Sequence, residues 1–273
     1  MSQSEEDYRV ENYEDYRVED FEDYTFDKWY FKLKDMKMYN IKNEIYQFIK
    51  QSELIEFNKT EIIYFLNNKV FSDKMKEKIN TFLNGKDYFF KLSNRSPKDI
   101  LKYDPVLRID DEDHRTVKTE KKIKQLDILK VNNIEKIEYL LNNSERCKED
   151  MQLFSIYNGN SKLYLVFQEW KPNLGKSIEY RCFVNNSKLS GICLFQPDYY
   201  SSRTIIPVEI LKNFCDKIIP ELNLKKYIID CFIYDDDKYN VHFIELNPFD
   251  ENTDTFSFEY EDIINTDTLL VTV

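Results

Sequence analysis

A chain of 273 residues, 42% hydrophobic and 33% charged, is long enough to bury a sizeable core in one large domain or two lobes. Its formal net charge of -11 excludes a general nucleic-acid binder and a binder of anionic membranes, because those partners select basic surfaces. No apolar run reaches the ~20 residues of a membrane span and the acidic N-terminal stretch is unlike a signal peptide, so a cytoplasmic protein is expected; a monomer is expected as well, though no residue pattern fixes the oligomeric state.

Residues 1–25 read as an acidic tail. Residues 5–27 carry eleven acidic groups and two arginines in an eight-residue repeat, DYRVE at Asp7, DYRVE at Asp15 and DYTFD at Asp23, which would be mobile unless a basic partner orders it. Residues 26–160 read as a helical and small-sheet lobe. From Phe26 to Phe71 the spacing is mainly helical, with Ile41, Ile45, Phe48 and Ile49 on one face. A second helix is expected over Ser72–Leu83, ended by Asn84-Gly85, and then a short buried strand over Tyr88–Leu92. Lys91 closes that strand before a polar loop running from Ser93 to Asp99. It either reaches a phosphate from a rigid element, with Arg95 or Lys98 assisting, or simply extends its ammonium to water. Residues 104–125 lack apolar periodicity and read as a mobile insertion, after which Ile134–Leu141 returns to helical spacing.

Residues 161–273 read as a second lobe dominated by strands. LYLVFQEW, Leu163–Trp170, stops in a polar turn, as a segment crossing between lobes would. In Ile178–Val184 the residues Ile178, Tyr180, Cys182 and Val184 share one face, and Glu179, Arg181 and Phe183 the other. A hairpin at Asn185-Asn186 leads into Leu189–Phe195, and Pro207–Leu222 has an amphipathic helical pattern. In YIIDCFIY, Tyr227–Tyr234, the single charge Asp230 sits in an apolar run, where a carboxylate is costly unless paired or metal-bound. A hairpin turn at residues 235–238 would pair this strand with Tyr239–Asn247. There Glu245 and Asn247, two apart, point to one face just before Pro248. Asp230, Glu245 and Asn247 thus offer three converging oxygen ligands, which suit Mg2+ shared with a nucleotide's phosphates.

Other chemistries find little support. Five cysteines without CxxC spacing read as buried free thiols, and His114 and His242 do not make a triad or a histidine metal site. Four glycines in the whole chain leave no GxGxxG and no P-loop, so a bound nucleotide would be held by side chains and a hinge backbone.

FFKLSNRSPKDI at Phe89–Ile100, LVFQEW at Leu165–Trp170, EYRCFV at Glu179–Val184, FIELNPFDENTDTFSFEYEDI at Phe243–Ile263 and the pair Trp29-Tyr30 resemble, in order and spacing, the cell division cycle protein 123 family. The resemblance implies an α+β, ATP-grasp-like fold, two lobes with antiparallel sheets clasping ATP and Mg2+. It implies phosphate contacts from Lys91 and Arg181, with Ser93 and Lys98 beside them, and adenine held along Gln168, Glu169 and Trp170. It implies Mg2+ on Asp230, Glu245 and Asn247. It further implies an assembly chaperone for eukaryotic translation initiation factor 2, acting through the gamma subunit. An ATP-dependent ligase working through an acylphosphate, and a scaffold that has lost ATP, are the alternatives.

The chain departs from the family pattern in several places. Glu245 stands where aspartate is usual, Gln168 replaces a basic residue, Ser93-Asn94 replaces an asparagine-tryptophan pair, and Glu149 occupies the place of an arginine. Ten residues follow Ile263 where relatives often carry a long acidic tail, a role the N-terminal repeat would take over.

Overall fold

The computed structural model describes residues 30–31, 52–102, 126–156, 162–171, 177–195, 206–222, 224–234, 237–249 and 253–272. The acidic repeat, the helix expected around residues 41–49 and the insertion at 104–125 lie outside them. The first strand, β1 (Ser52–Glu56), corrects the helical expectation for residues 26–71. SELIE is too short for its own pattern to decide, and antiparallel pairing with β4 (Tyr164–Glu169) settles it. The helices α1 (Lys59–Asn68) and α2 (Asp73–Leu83) follow, then β2 (Tyr88–Leu92), a 3-10 turn (Lys98–Lys102), β3 (Lys130–Val131), α3 (Ile134–Asn143) and α4 (Glu145–Ile156).

Capping residues set these boundaries. The side chains of Asn58, Ser72 and Asn133 accept from the amides of Glu61, Met75 and Lys136 at 3.0, 3.2 and 2.8 Å, satisfying donors that a helix start leaves open. Lys69 and Asn84 end α1 and α2 in the left-handed conformation. The strands form an antiparallel sheet of order β1-β4-β2-β3. Phe90, Leu92, Leu165 and Phe167 pack with Phe57, Phe65 and Phe71 into one apolar cluster with the helices. Each such side chain is worth ~1.5–3 kcal/mol of burial.

The second sheet has the order β8-β7-β5-β6-β9, antiparallel except where β9 runs parallel to β6. Its strands are β5 (Ser177–Asn185), β6 (Lys188–Leu194), β7 (Tyr227–Tyr234), β8 (Asp237–Asn247) and β9 (Leu270–Thr272). The expected alternation holds. Tyr180, Cys182 and Val184 enter a cluster with Leu211, Cys215 and Ile218 of α5 (Val208–Leu222), while Phe183 packs in a separate cluster with Cys193, Ile228, Phe249 and Ile263 of α6 (Tyr260–Asn265). All five cysteines are free and buried.

In β8 the apolar residues Val241, Phe243 and Leu246 do not keep period two. The structure answers with a bulge: Cys231 pairs with Phe243 but Asp230 pairs with Glu245, so Ile244 is the extra residue. This phase change buries Leu246 and leaves Glu245 and Asn247 on the other face. Since β4 belongs to the first sheet and β5 to the second, the passage between lobes falls between Glu169 and Ser177, later than the boundary at 160–161 expected from sequence. No helix among the described residues is long and apolar enough to cross a membrane.

Candidate functional site

Three neighbouring strands carry the centre of the site. Arg181 on β5 lies opposite Asp230 on β7, and Asp230 lies opposite Glu245 on β8. Arg181 donates from Nε to Asp230 Oδ1 and from Nη2 to Asp230 Oδ2, each at 2.8 Å, a two-pronged pair in which both residues are nearly buried. Asn247 donates from Nδ2 to the same Oδ2 at 2.8 Å. The first sheet supplies the remaining cations. Lys91, on β2, crosses to the second lobe and donates from Nζ to Glu245 Oε2 at 2.5 Å. Lys98 begins the 3-10 turn and places its Nζ 5.5 Å from the centre of the Phe195 ring.

The remaining expected residues are placed less centrally. Ser93 is buried, and its hydroxyl accepts from the Tyr164 amide at 3.2 Å while its own amide donates to the Tyr164 carbonyl, so it ties the end of β2 to β4. Gln168 and Glu169 lie within β4, opposite Phe89 and Tyr88 of β2. The Trp170 amide donates to the Asp87 carbonyl at 3.0 Å, and Lys130 sits 5.6 Å from its ring. The hinge amide at Trp170 is therefore already committed to the first lobe.

Burial sets the electrostatics. At Glu245 burial alone would raise the carboxyl, but Lys91, Lys98 and Arg181 outweigh it and hold it down to about 2. Burial pushes the Asp230 carboxyl up against the pull of Arg181, and neighbouring Glu245 adds to that rise. Burial likewise opposes the charge on Arg181, and Asp230 more than offsets it, so the guanidinium stays charged.

Among the described residues no three His, Cys, Asp or Glu side chains are grouped so that they could hold a metal ion, so a metal corner here would consist of two carboxylates and a carboxamide. These hard oxygen donors fit Mg2+, which needs only one or two carboxylates beside phosphate oxygens. Glu245 accepts from Lys91 through Oε2 and Asn247 donates through Nδ2, which leaves Glu245 Oε1 and the single carboxamide oxygen of Asn247, Oδ1, for a cation. Asp230 would contribute only by sharing oxygens with Arg181.

Sequence reasoning missed Phe195 and Phe256, whose rings lie 5.0 and 4.9 Å from the Arg181 guanidinium carbon, and the Asp254 carbonyl, which accepts from Arg181 Nη1 at 2.5 Å. Their role depends on a return of the chain 73 residues after Arg181, which no local pattern announces. It also missed the cation facing Asp150. Arg95 bonds Asp150 from Nε at 2.9 Å and Glu149 from Nη2 at 3.0 Å.

The D123 family model matches residues 121–270. A translation initiation factor eIF2 assembly protein of Dictyostelium discoideum is 27% identical over 146 residues, covering 50% of this chain and 37% of that protein. A protein of the same description from Danio rerio is 32% identical over 106 residues, covering 36% and 29%. The match thus spans about a third of the length of these relatives. Cdc123 from Schizosaccharomyces pombe superposes with a TM-score of 0.66 at 17% identity, over 93% of this chain and 96% of that one, which shows the same α+β fold.

Proposed function

The chain belongs to the D123 family, and from that premise we propose that it is an assembly chaperone for eukaryotic translation initiation factor 2 that binds ATP with Mg2+ and engages the factor's gamma subunit. The observation that carries the nucleotide half is the charge cluster between the lobes. Lys91, Lys98 and Arg181 stand against Asp230 and Glu245, a local positive surplus in a chain of net charge -11. The partner half rests on the assembly role named in the two relatives. In this reading Lys91, Lys98 and Arg181 meet the phosphates, with Ser93 fixing the strand end that aims Lys91. Adenine lies along Gln168–Trp170, where β4 leads into the passage between the lobes, and Glu245, Asn247 and Asp230 hold Mg2+. The ion, when bound, neutralises phosphate charge. The chaperone works as a cytoplasmic monomer.

Calorimetry of ATP with and without Mg2+ tests the site. The wild type is expected to bind in the presence of Mg2+. Lys91→Ala is expected to weaken binding by ~1–3 kcal/mol, as loss of a charge-assisted hydrogen bond would. Asp230→Asn with Glu245→Gln keeps side-chain shape and is expected to abolish the Mg2+ dependence. Unchanged ATP affinity and Mg2+ dependence in that double variant would sink the assignment, and failure of the full chain to bind isolated gamma subunit would sink the chaperone role.

A further inference from the structure

Arg181 is 5% exposed, and three of its five N–H donors are engaged, two by Asp230 and one by the Asp254 carbonyl. Among the described residues the other two, one on each terminal nitrogen, meet no acceptor. Asp230 holds the guanidinium by one edge and the Asp254 carbonyl holds it by Nη1. Two rings flank it. The Phe195 and Phe256 centroids lie 5.0 Å apart at an interplanar angle of 71°, and the guanidinium carbon lies 5.0 and 4.9 Å from them, a triangle with sides of almost equal length. Phe195 has a second cation at its ring, Lys98 from the other lobe at 5.5 Å.

Phe256 reaches this position with φ of 56°, a left-handed backbone that a bulky residue rarely adopts. The loop is held there by its own hydrogen bonds: the Phe256 amide donates to Asp254 Oδ1 at 2.7 Å, and Thr255 Oγ1 donates to the Phe258 carbonyl at 2.6 Å. The Asp254 carbonyl on Arg181 and the Phe256 ring beside it come from the same turn. The fold therefore maintains an unfavourable conformation whose visible result is the placement of one guanidinium.

We propose that Phe195 and Phe256 are positioning residues that orient Arg181 toward an oligophosphate chain, with Phe195 also steering Lys98 to the same point. This rests on the ATP-binding reading above and extends it to groups that need not touch the nucleotide. The rings present their negative faces to a cation in a site with little water, where such contacts are strongest. They leave two N–H donors aimed at whatever acceptor enters.

The test uses the full chain, with inorganic tripolyphosphate and Mg-ATP as calorimetric probes and the Arg181 Nε–H resonance as a reporter of ring contact. Phe256→Gly suits the left-handed backbone and so folds without strain. It is expected to lose about tenfold in affinity for both probes. Phe256→Leu restores apolar bulk but no ring and is expected to lose as much, whereas Phe256→Tyr is expected to restore binding. The Arg181 resonance, shifted by the rings in the wild type, should return toward an ordinary arginine position in the Gly and Leu variants and not in Tyr. If Phe256→Leu binds as the wild type does, the rings only fill space and the proposal is overturned while ATP binding stands. Wild-type protein that binds neither probe overturns the ATP reading, and this inference with it.

Discussion

Arg181 and Asp230 face each other directly across β5 and β7, and the guanidinium takes both carboxylate oxygens at 2.8 Å with Asp230 only 3% exposed. Removing one partner leaves the other buried without compensation, so Asp230→Ala or Arg181→Met is expected to cost about 3–5 kcal/mol of stability. The double replacement Arg181→Met with Asp230→Leu is expected to recover most of that loss in urea titrations. It should nevertheless fail to bind Mg-ATP, which separates what the pair does for the fold from what it does for the ligand.

Glu245 predicts a pH dependence with a definite sign. Its carboxyl is depressed from the ordinary value of 4.5 to about 2, so the stability it contributes is fully present above its unfolded value and is lost as pH falls from there through about 2. Urea unfolding of the wild type and Glu245→Gln should differ by roughly 2–3 kcal/mol at pH 6. That gap should close progressively below pH 4.5. A gap that stays constant to pH 3 would show that Lys91 does not hold the carboxylate in solution.

Gly191 on β6 leaves room for the turn that carries Phe256. A Cβ there would approach Phe183 Cδ2 to 3.2 Å and Phe258 Cε2 to 3.3 Å. Gly191→Ala is expected to destabilise by ~1–3 kcal/mol through overpacking. Because Phe258 belongs to the same turn as Phe256, the variant should also disturb the Arg181 resonance, whereas an alanine substitution in the first lobe should not.

If the gamma subunit meets the chain through charge, the repeat at residues 5–27 is the densest acidic segment available, and Tyr8, Tyr16 and Tyr24 recur with it as anchors. Deleting residues 1–25 is expected to leave ATP binding unchanged, weaken gamma-subunit association and flatten its salt dependence. Equal binding by the truncated and full chains at every salt concentration would place the interface on the lobes.

The sequence was informative where chemistry and periodicity coincided. Asp230 stood out because a lone charge in YIIDCFIY demanded a partner, and the E-x-N spacing of Glu245 and Asn247 put both on one face whatever the bulge did upstream. Strand β1 escaped notice because five residues carry too little pattern and its conformation is set by β4, more than a hundred residues later. Helix α4 was missed for a different reason. Its buried face, Cys147, Asp150, Met151 and Phe154, includes a carboxylate whose cation is Arg95, so the hydrophobic stripe is broken at a position that only tertiary structure explains. Phe195, at the end of an expected strand, and Phe256, inside a motif matched for other residues, gave no signal of their place beside Arg181, since a ring's tertiary neighbour has no period to announce it.

The Lys91–Glu245 contact also sets a threshold for ligands. A carboxylate fixed to the same chain confronts the ammonium at an effective concentration in the millimolar range or above, regardless of what the solvent contains. Chloride or a single phosphate must compete with that resident anion one contact at a time and gains little by displacing it. In the ATP-binding reading, a polyphosphate that engaged Lys91, Lys98 and Arg181 together, with a divalent cation to occupy the released Glu245, would replace the interactions it breaks. In the ATP-binding reading proposed above, the ion pair between the two lobes would act as a valency filter, passing ligands by the number of charges they can present at once rather than by their abundance.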